Sequence, residues 1–201
     1  MIVVRGVKAL HSFKKIMKKL DDYIVVFDNV LDETACEILI DTYNKSPNHV
    51  QERNNTLMKF REINIFEAKP FESFRELFLM KAKNLAESYR DYTGAFWPED
   101  LAYEAPRIKK YEPNEGYFNW HIDSATAETG KRLLVMFWYL NDVDEGGETE
   151  FCIGEDIIKN PAKRGSVVCF PPNFLYPHRG VMPISSPKYV ISSYVQLAPG
   201  K

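Results

Sequence analysis

Residues Arg132–Ile153 read RLLVMFWYLNDVDEGGETEFCI. An unbroken apolar run, Leu133–Leu140, gives way to Asn, Asp and a Gly-Gly pair, and then to a second β-prone segment at 149–153. A run of this length bounded by turn residues fits a strand buried on both faces and is far too short to cross a bilayer. The texture continues to either side. Short β-rich segments at 105–111, 117–122, 132–140, 149–153, 166–170, 175–179 and 188–197 are punctuated by Gly, Pro, Asn and Asp. Short strands at close spacing, with no helical pattern between them, predict a sandwich, jelly roll or barrel.

Upstream of residue 103 the character is different. Tyr23–Phe27 (YIVVF) predicts a strand, and Asp32 stands where a helix N-cap belongs, with Ala35, Ile38, Leu39 and Tyr43 following at helical spacing. A second helix is expected from near Pro70 to about Tyr92, with Phe74, Phe78, Ala82, Leu85 and Tyr89 as its buried stripe and Gly94 as its stop. Residues 8–20 carry Leu10, Phe13, Ile16, Met17 and Leu20 on one face, with Lys14, Lys15, Lys18 and Lys19 elsewhere around it. That pattern suits a helix docked on its own domain more often than one lying on a membrane. The polar stretches 44–58 and 124–131 are expected to be loops, and candidate lids if they flank a barrel mouth. The chain reads as one domain, 1–201, with a support region over 1–100 and a β core over 101–201.

Composition narrows the function. The chain has 201 residues, 45% hydrophobic, with 26 Lys plus Arg against 28 Asp plus Glu and a net charge of -2. No global positive field exists to hold a phosphate backbone, so nucleic acid is a poor default partner. The three cysteines, Cys36, Cys152 and Cys169, form no C-x-x-C pair. Such a sparse odd set suits a reducing compartment. The N-terminus shows no signal-peptide pattern, and the cytoplasm is the expected location, with no membrane partner.

Four histidines are present, and His121 and His178 lie in the β half. His121-Ile122-Asp123 is a His-x-Asp triplet at a strand end, and residues two apart on a strand share a face. An imidazole and a carboxylate can then reach one metal, and His178 on a late strand would complete a set of two His and one carboxylate. That set leaves positions open, as in non-haem Fe(II) oxygenases. Alone, the triplet is a weak signal, since a lone strand histidine is usually packed or at the surface. Lys188, ten residues beyond His178, opens an apolar strand. Facing inward, it needs an anion to offset desolvation; facing outward, it is an ordinary edge-strand lysine. Tyr139 lies near the end of the buried run, and its phenol needs a partner, either that same anion or a backbone carbonyl.

In order and spacing, His121-x-Asp123, YLNDVDEGGETEF at 139–151, PAKRGSVVCF at 161–170 and His178 followed by Lys188 resemble the prolyl 4-hydroxylase branch of the 2-oxoglutarate/Fe(II)-dependent dioxygenases. YEPNEGYFNWHID at 111–123 fits as well, as does IVVFDNVLDETACEILID upstream, so the resemblance covers about 22–197. It implies a mainly β fold with flanking α-helices, built on a double-stranded β-helix (jelly roll, cupin-like) core. It implies His121, Asp123 and His178 as iron ligands and as the catalytic centre, Lys188 as partner of the distal 2-oxoglutarate carboxylate, Tyr139 as a second donor there, and Tyr111 beside the cosubstrate. The cofactors it implies are Fe(II), 2-oxoglutarate and O2, with ascorbate as reductant. Asp123 points to hydroxylation, since halogenases of the superfamily lack that carboxylate.

The implied reaction is hydroxylation of a peptide or protein side chain, proline first, with release of succinate and CO2. Pro183 stands one place later than the family pattern, Ser186 replaces a usual glycine and Tyr194 a frequent tryptophan, which bear on the substrate more than on iron or cosubstrate. Two readings stand beside this one: a hydroxylase of a free small molecule or amino acid, and a non-catalytic jelly-roll module holding a structural ion. A Lys188–Tyr139 anchor speaks against the second. A nucleic-acid demethylase is disfavoured by charge, since residues 103–197 carry 10 Lys plus Arg against 12 Asp plus Glu.

Overall fold

The computed structural model describes residues 18–198. Strand β1 (Val25–Phe27) leads into helix α1 (Glu33–Asn44), the hairpin β2 (Gln51–Asn54) and β3 (Met58–Asn64), and helix α2 (Arg75–Thr93). Nine further strands follow: β4 (Leu101–Tyr103), β5 (Arg107–Tyr111), β6 (Tyr117–His121), β7 (Arg132–Tyr139), β8 (Thr149–Ile153), β9 (Asp156–Asn160), β10 (Val167–Phe170), β11 (His178–Gly180) and β12 (Lys188–Leu197). They pair antiparallel in the order β1-β10-β7-β12-β5-β3-β6-β11-β8-β9, with β2 on β3 and β4 on β12. This is the predicted double-stranded β-helix, with the helices packed on one side.

Alternation along β7 divides the core in two. Leu134, Met136 and Trp138 face the helices, together with Ile191 and Val195 of β12 and Leu39, Phe78, Ala82, Leu85 and Tyr89 of α1 and α2. Val135 and Tyr139 face the barrel interior with Tyr111, Phe151, Phe170, Val190 and Tyr194. Fully burying each such side chain contributes about 1.5–3 kcal/mol. The apolar run therefore reads as continuous because both of its faces are covered. Asp32 caps α1 by accepting from Ala35 N at 2.7 Å, and Gly94 ends α2 at φ 66°. A left-handed terminus of this kind favours glycine.

Several expectations need correction. The stretch 44–58 is not a loop: it holds a 3-10 turn, the whole of β2 and the start of β3. β2 is exposed along its length, so its polar composition resembles a loop while its backbone pairs with β3. The division at residue 100 is not structural, because β3 lies between β5 and β6 in the middle of the sheet. β9 was not anticipated, and the late strand expected at 175–179 runs from His178 to Gly180. The helix expected at 8–20 lies outside the described residues for all but its last three positions, where a 3-10 turn begins at Leu20.

Candidate active site

Two adjacent strands bring the histidines together. His178 on β11 stands directly opposite His121 on β6, with ring centroids 4.2 Å apart. Asp123 follows the end of β6. Its backbone N–H donates to Pro172 O at 3.1 Å, and its carbonyl accepts from the Arg132 guanidinium at 2.9 Å. Its carboxylate lies 3.6 Å from His121 Nε2 and 3.4 Å from His178 Nε2. Candidate ligand atoms of the three residues all lie within 4.8 Å of one another.

The chemistry of these atoms fits a metal. His121 Nδ1 donates to Asn119 O at 2.7 Å and His178 Nδ1 to Tyr176 O at 3.1 Å. A carbonyl can only accept, so this fixes the tautomer and leaves each Nε2 with a free lone pair. His121 Nε2, His178 Nε2 and Asp123 Oδ2 are all buried without a hydrogen-bond partner. Three orphaned polar atoms converging on one point are costly unless something binds them. Burial lowers the His121 pKa, with the nearby Asp123 carboxylate acting against it. Burial would raise the Asp123 carboxyl, but the facing imidazoles outweigh it and hold it below the usual carboxylate range. Neutral imidazole with ionised carboxylate is the state a divalent metal needs. The Phe118 ring stacks on His121 at 3.6 Å, and Phe137, Phe151 and Phe170 surround His178.

The same cleft, about 350 Å³, contains Lys188. Lys188 points inward and is 3% exposed, which settles its orientation against the edge-strand alternative. Among the described residues its ammonium has no hydrogen bond or ion pair; it lies over the rings of Tyr139 at 5.3 Å and Tyr111 at 5.6 Å. Burial drives its pKa down to about 7, opposed by Glu148. Tyr111 lies opposite Lys188 across the β5–β12 pair and also lines the cleft. Tyr139 is placed differently from expectation. Its hydroxyl lies 2.8 Å from Thr149 Oγ1 and accepts from Asn160 Nδ2 at 3.1 Å, and it is Thr149 that lines the cleft. Tyr139 therefore stands behind Thr149, its phenol already engaged by two neighbours.

Sequence reasoning missed Thr149, Asn160 and Lys109, which also lines the cleft. Lys109 had a readable signal, since it shares a strand face with Tyr111 two residues on. Arg132 was another omission. It pairs twice with Glu104 at 2.8 Å and stacks on Tyr194 at 3.7 Å. Tyr194, where the family pattern often has tryptophan, is thus the platform for the arginine that steadies Asp123.

Comparison with known proteins agrees with this geometry. Residues 106–196 match the model of the 2OG-Fe(II) oxygenase superfamily. A probable prolyl 4-hydroxylase 3 of Arabidopsis thaliana is 41% identical over 76 residues, which cover 34% of this chain and 24% of the plant protein. The chain thus spans about a quarter of that relative's length. The viral collagen prolyl hydroxylase of Paramecium bursaria Chlorella virus-1, solved as a 2OG complex, superposes with TM-score 0.66 at 18% identity, over 88% of this chain and 97% of that one. A Trichoplax adhaerens prolyl hydroxylase, solved with a hypoxia inducible factor peptide fragment, gives TM-score 0.67 at 13% identity, over 87% and 84%. The segment that carries both histidines, Asp123 and Lys188 thus matches a 2OG-Fe(II) oxygenase domain, and the described chain has a prolyl-hydroxylase-like fold.

Proposed function

We propose that the chain is an Fe(II)- and 2-oxoglutarate-dependent hydroxylase acting on a peptide or protein side chain, proline first, with succinate and CO2 as coproducts. The observation that carries this reading is one cleft lined by the two orphaned imidazoles, with the Asp123 carboxylate within 4.8 Å of them, and by the buried, acceptor-less Lys188. A structural ion would need the former and leave the latter without purpose.

His121 Nε2, the Asp123 carboxylate and His178 Nε2 would hold Fe(II), leaving positions for a bidentate cosubstrate and O2. Bound iron with these partners supplies the oxygen chemistry, coupling oxidative decarboxylation of 2-oxoglutarate to insertion of one oxygen atom into a substrate C–H bond. The chain's own residues do the rest. Lys188 pairs with the distal carboxylate, and Thr149, bonded to the Tyr139 hydroxyl that Asn160 in turn holds, offers a hydroxyl beside it. Tyr111 walls the cosubstrate, and the phenylalanines around the imidazoles exclude water. Ascorbate is the reductant expected to sustain turnover. All three cysteines are free, which suits a cytoplasmic enzyme.

A peptide substrate is supported by the relatives, whose names are those of prolyl hydroxylases, one of them solved with a peptide fragment. The test is anaerobic binding of Fe(II) and 2-oxoglutarate, then aerobic turnover on a peptide library read by mass spectrometry. A gain of one oxygen on proline with stoichiometric succinate is the expected result. Turnover of free proline with every peptide silent would keep the chemistry and move the substrate. Turnover of methylated oligonucleotides alone would overturn the reading.

A further inference from the structure

The cleft holds a second buried lysine that the proposed cosubstrate does not use. Lys109 on β5 is 8% exposed and lines the same cleft as His121, His178 and Lys188. Its ammonium sits over the rings of Phe60 at 4.9 Å and Phe118 at 5.7 Å. Among the described residues it makes no hydrogen bond and no ion pair. Its cross-strand neighbour is Glu62. Glu62 Oε1 accepts from the Arg53 guanidinium at 2.9 and 2.8 Å, with Arg107 at 3.8 Å from the same oxygen. A buried ammonium with no hydrogen bond is poorly compensated by aromatic rings, because a ring quadrupole replaces only part of the lost hydration.

Position separates the two lysines. Lys188 lies opposite Tyr111, whereas Lys109 lies opposite Val190, one inward position further along β5. The charges that bear on Lys109 are Glu62, Asp123, Arg107 and Arg132, at the Asp123 end; those bearing on Lys188 are Glu148 and Lys109 itself. A 2-oxoglutarate stretched from Lys188 to the metal has one carboxylate on the lysine and the other on the cation. Both of its charges are then matched, and Asp123 matches part of the metal. That leaves Lys109, in the same cleft as the imidazoles, as a cation with no hydrogen bond or ion pair to either proposed ligand or to the described residues.

We propose that Lys109 is a substrate-anchoring residue that binds a carboxylate of the substrate itself, so that the preferred substrate is an acid: a free amino acid held by its own carboxylate, or a peptide held by an acidic side chain next to the hydroxylated residue. This rests on the cosubstrate placement proposed above.

The test uses Mn(II)-loaded protein saturated with 2-oxoglutarate, titrated calorimetrically with acid and amide pairs. The pairs are propionate and propionamide, L-proline and L-prolinamide, and N-acetyl-Pro-Asp-amide and N-acetyl-Pro-Asn-amide. At least one acid is expected to bind about tenfold or more tighter than its amide, the scale of one charge-assisted hydrogen bond. That preference should vanish in Lys109→Met, while 2-oxoglutarate affinity changes by less than about threefold, the size of a screened charge effect. The acid that shows the preference identifies the source of the carboxylate. The acid–amide comparison on the wild-type protein needs no variant, and Lys109→Gln provides a second neutral side chain should the methionine mispack. Acids binding no better than amides, none binding, or a preference surviving in both variants would overturn the proposal. So would a tenfold loss of 2-oxoglutarate affinity in the variants, which would assign Lys109 to the cosubstrate. Failure of wild-type protein to bind 2-oxoglutarate at all is a separate outcome, and it removes the underlying reading together with this one.

Discussion

At the scale of single residues, two side chains carry separable tests. Asp123 supplies the only carboxylate in the converging donor set, and its Oδ2 is buried without a hydrogen-bond partner. Asp123→Ala is expected to fold and to lose Fe(II) affinity by about a hundredfold or more, since even outer partners of a ligand are worth tenfold or more. Metal titration and succinate release both read this, and full succinate production by the variant would remove Asp123 from the site. Lys188 gives a pH signature. With its pKa near 7 in the free protein, the ammonium is already formed below that pH and must be made on binding above it. Cosubstrate affinity should therefore be flat on the acid side and fall by up to about tenfold per unit above pH 7. At pH 7, 2-oxoglutarate binding to metal-loaded protein should take up about half a proton. Calorimetry in two buffers of different ionisation enthalpy measures that uptake, and zero uptake would show that no proton follows the carboxylate in.

At the scale of elements, the turn before β10 joins the barrel to α1. Gly165 O accepts from Val30 N at 2.8 Å and Leu31 N at 3.2 Å, and Gly165 has φ 76°. A Cβ there would collide with Leu31 O. Gly165→Ala should destabilise by about 1–3 kcal/mol through left-handed strain and the lost approach, with 2-oxoglutarate affinity unchanged. Thermal unfolding checks it; a variant as stable as the wild type would mean that the turn relaxes freely. Elements also show where sequence patterns were legible. The Asp32 cap, the stripe of α2 and the β7 run were readable because each is a local signal tied to one burial pattern. β2 was not, because its polar side chains face water and only the β3 backbone makes it a strand.

At the scale of the whole molecule, the barrel is closed by strands from both halves of the chain. The candidate metal donors come from β6, its end and β11, and Lys188 from β12. Ligands that bridge these strands should stabilise the folded state as a unit. At about 100 times their Kd, Mn(II) and 2-oxoglutarate together should add about 2.7 kcal/mol or more, which is a rise of roughly 5–10 °C in Tm for a chain of this size. The rise should be absent from Asp123→Ala. An equal rise in that variant would mean that the ions bind elsewhere.

The sequence by itself determined a strand-rich second half and the capped helices, and its family resemblance pointed to the β-helix core and to the three candidate donor side chains. Strand alternation, turn residues and the His-x-Asp spacing are properties of neighbours along the chain. Whether Lys188 faced in or out, that Thr149 rather than Tyr139 meets the cleft, and that Lys109 is buried beside the metal site were decided only by the tertiary structure. Those outcomes depend on which strand lies alongside which, and on what each side chain meets across the barrel. β3, from the N-terminal half, is the partner that places Glu62 opposite Lys109 and Met58 opposite Phe118. Such pairings join residues far apart in sequence, where no local period or propensity records them.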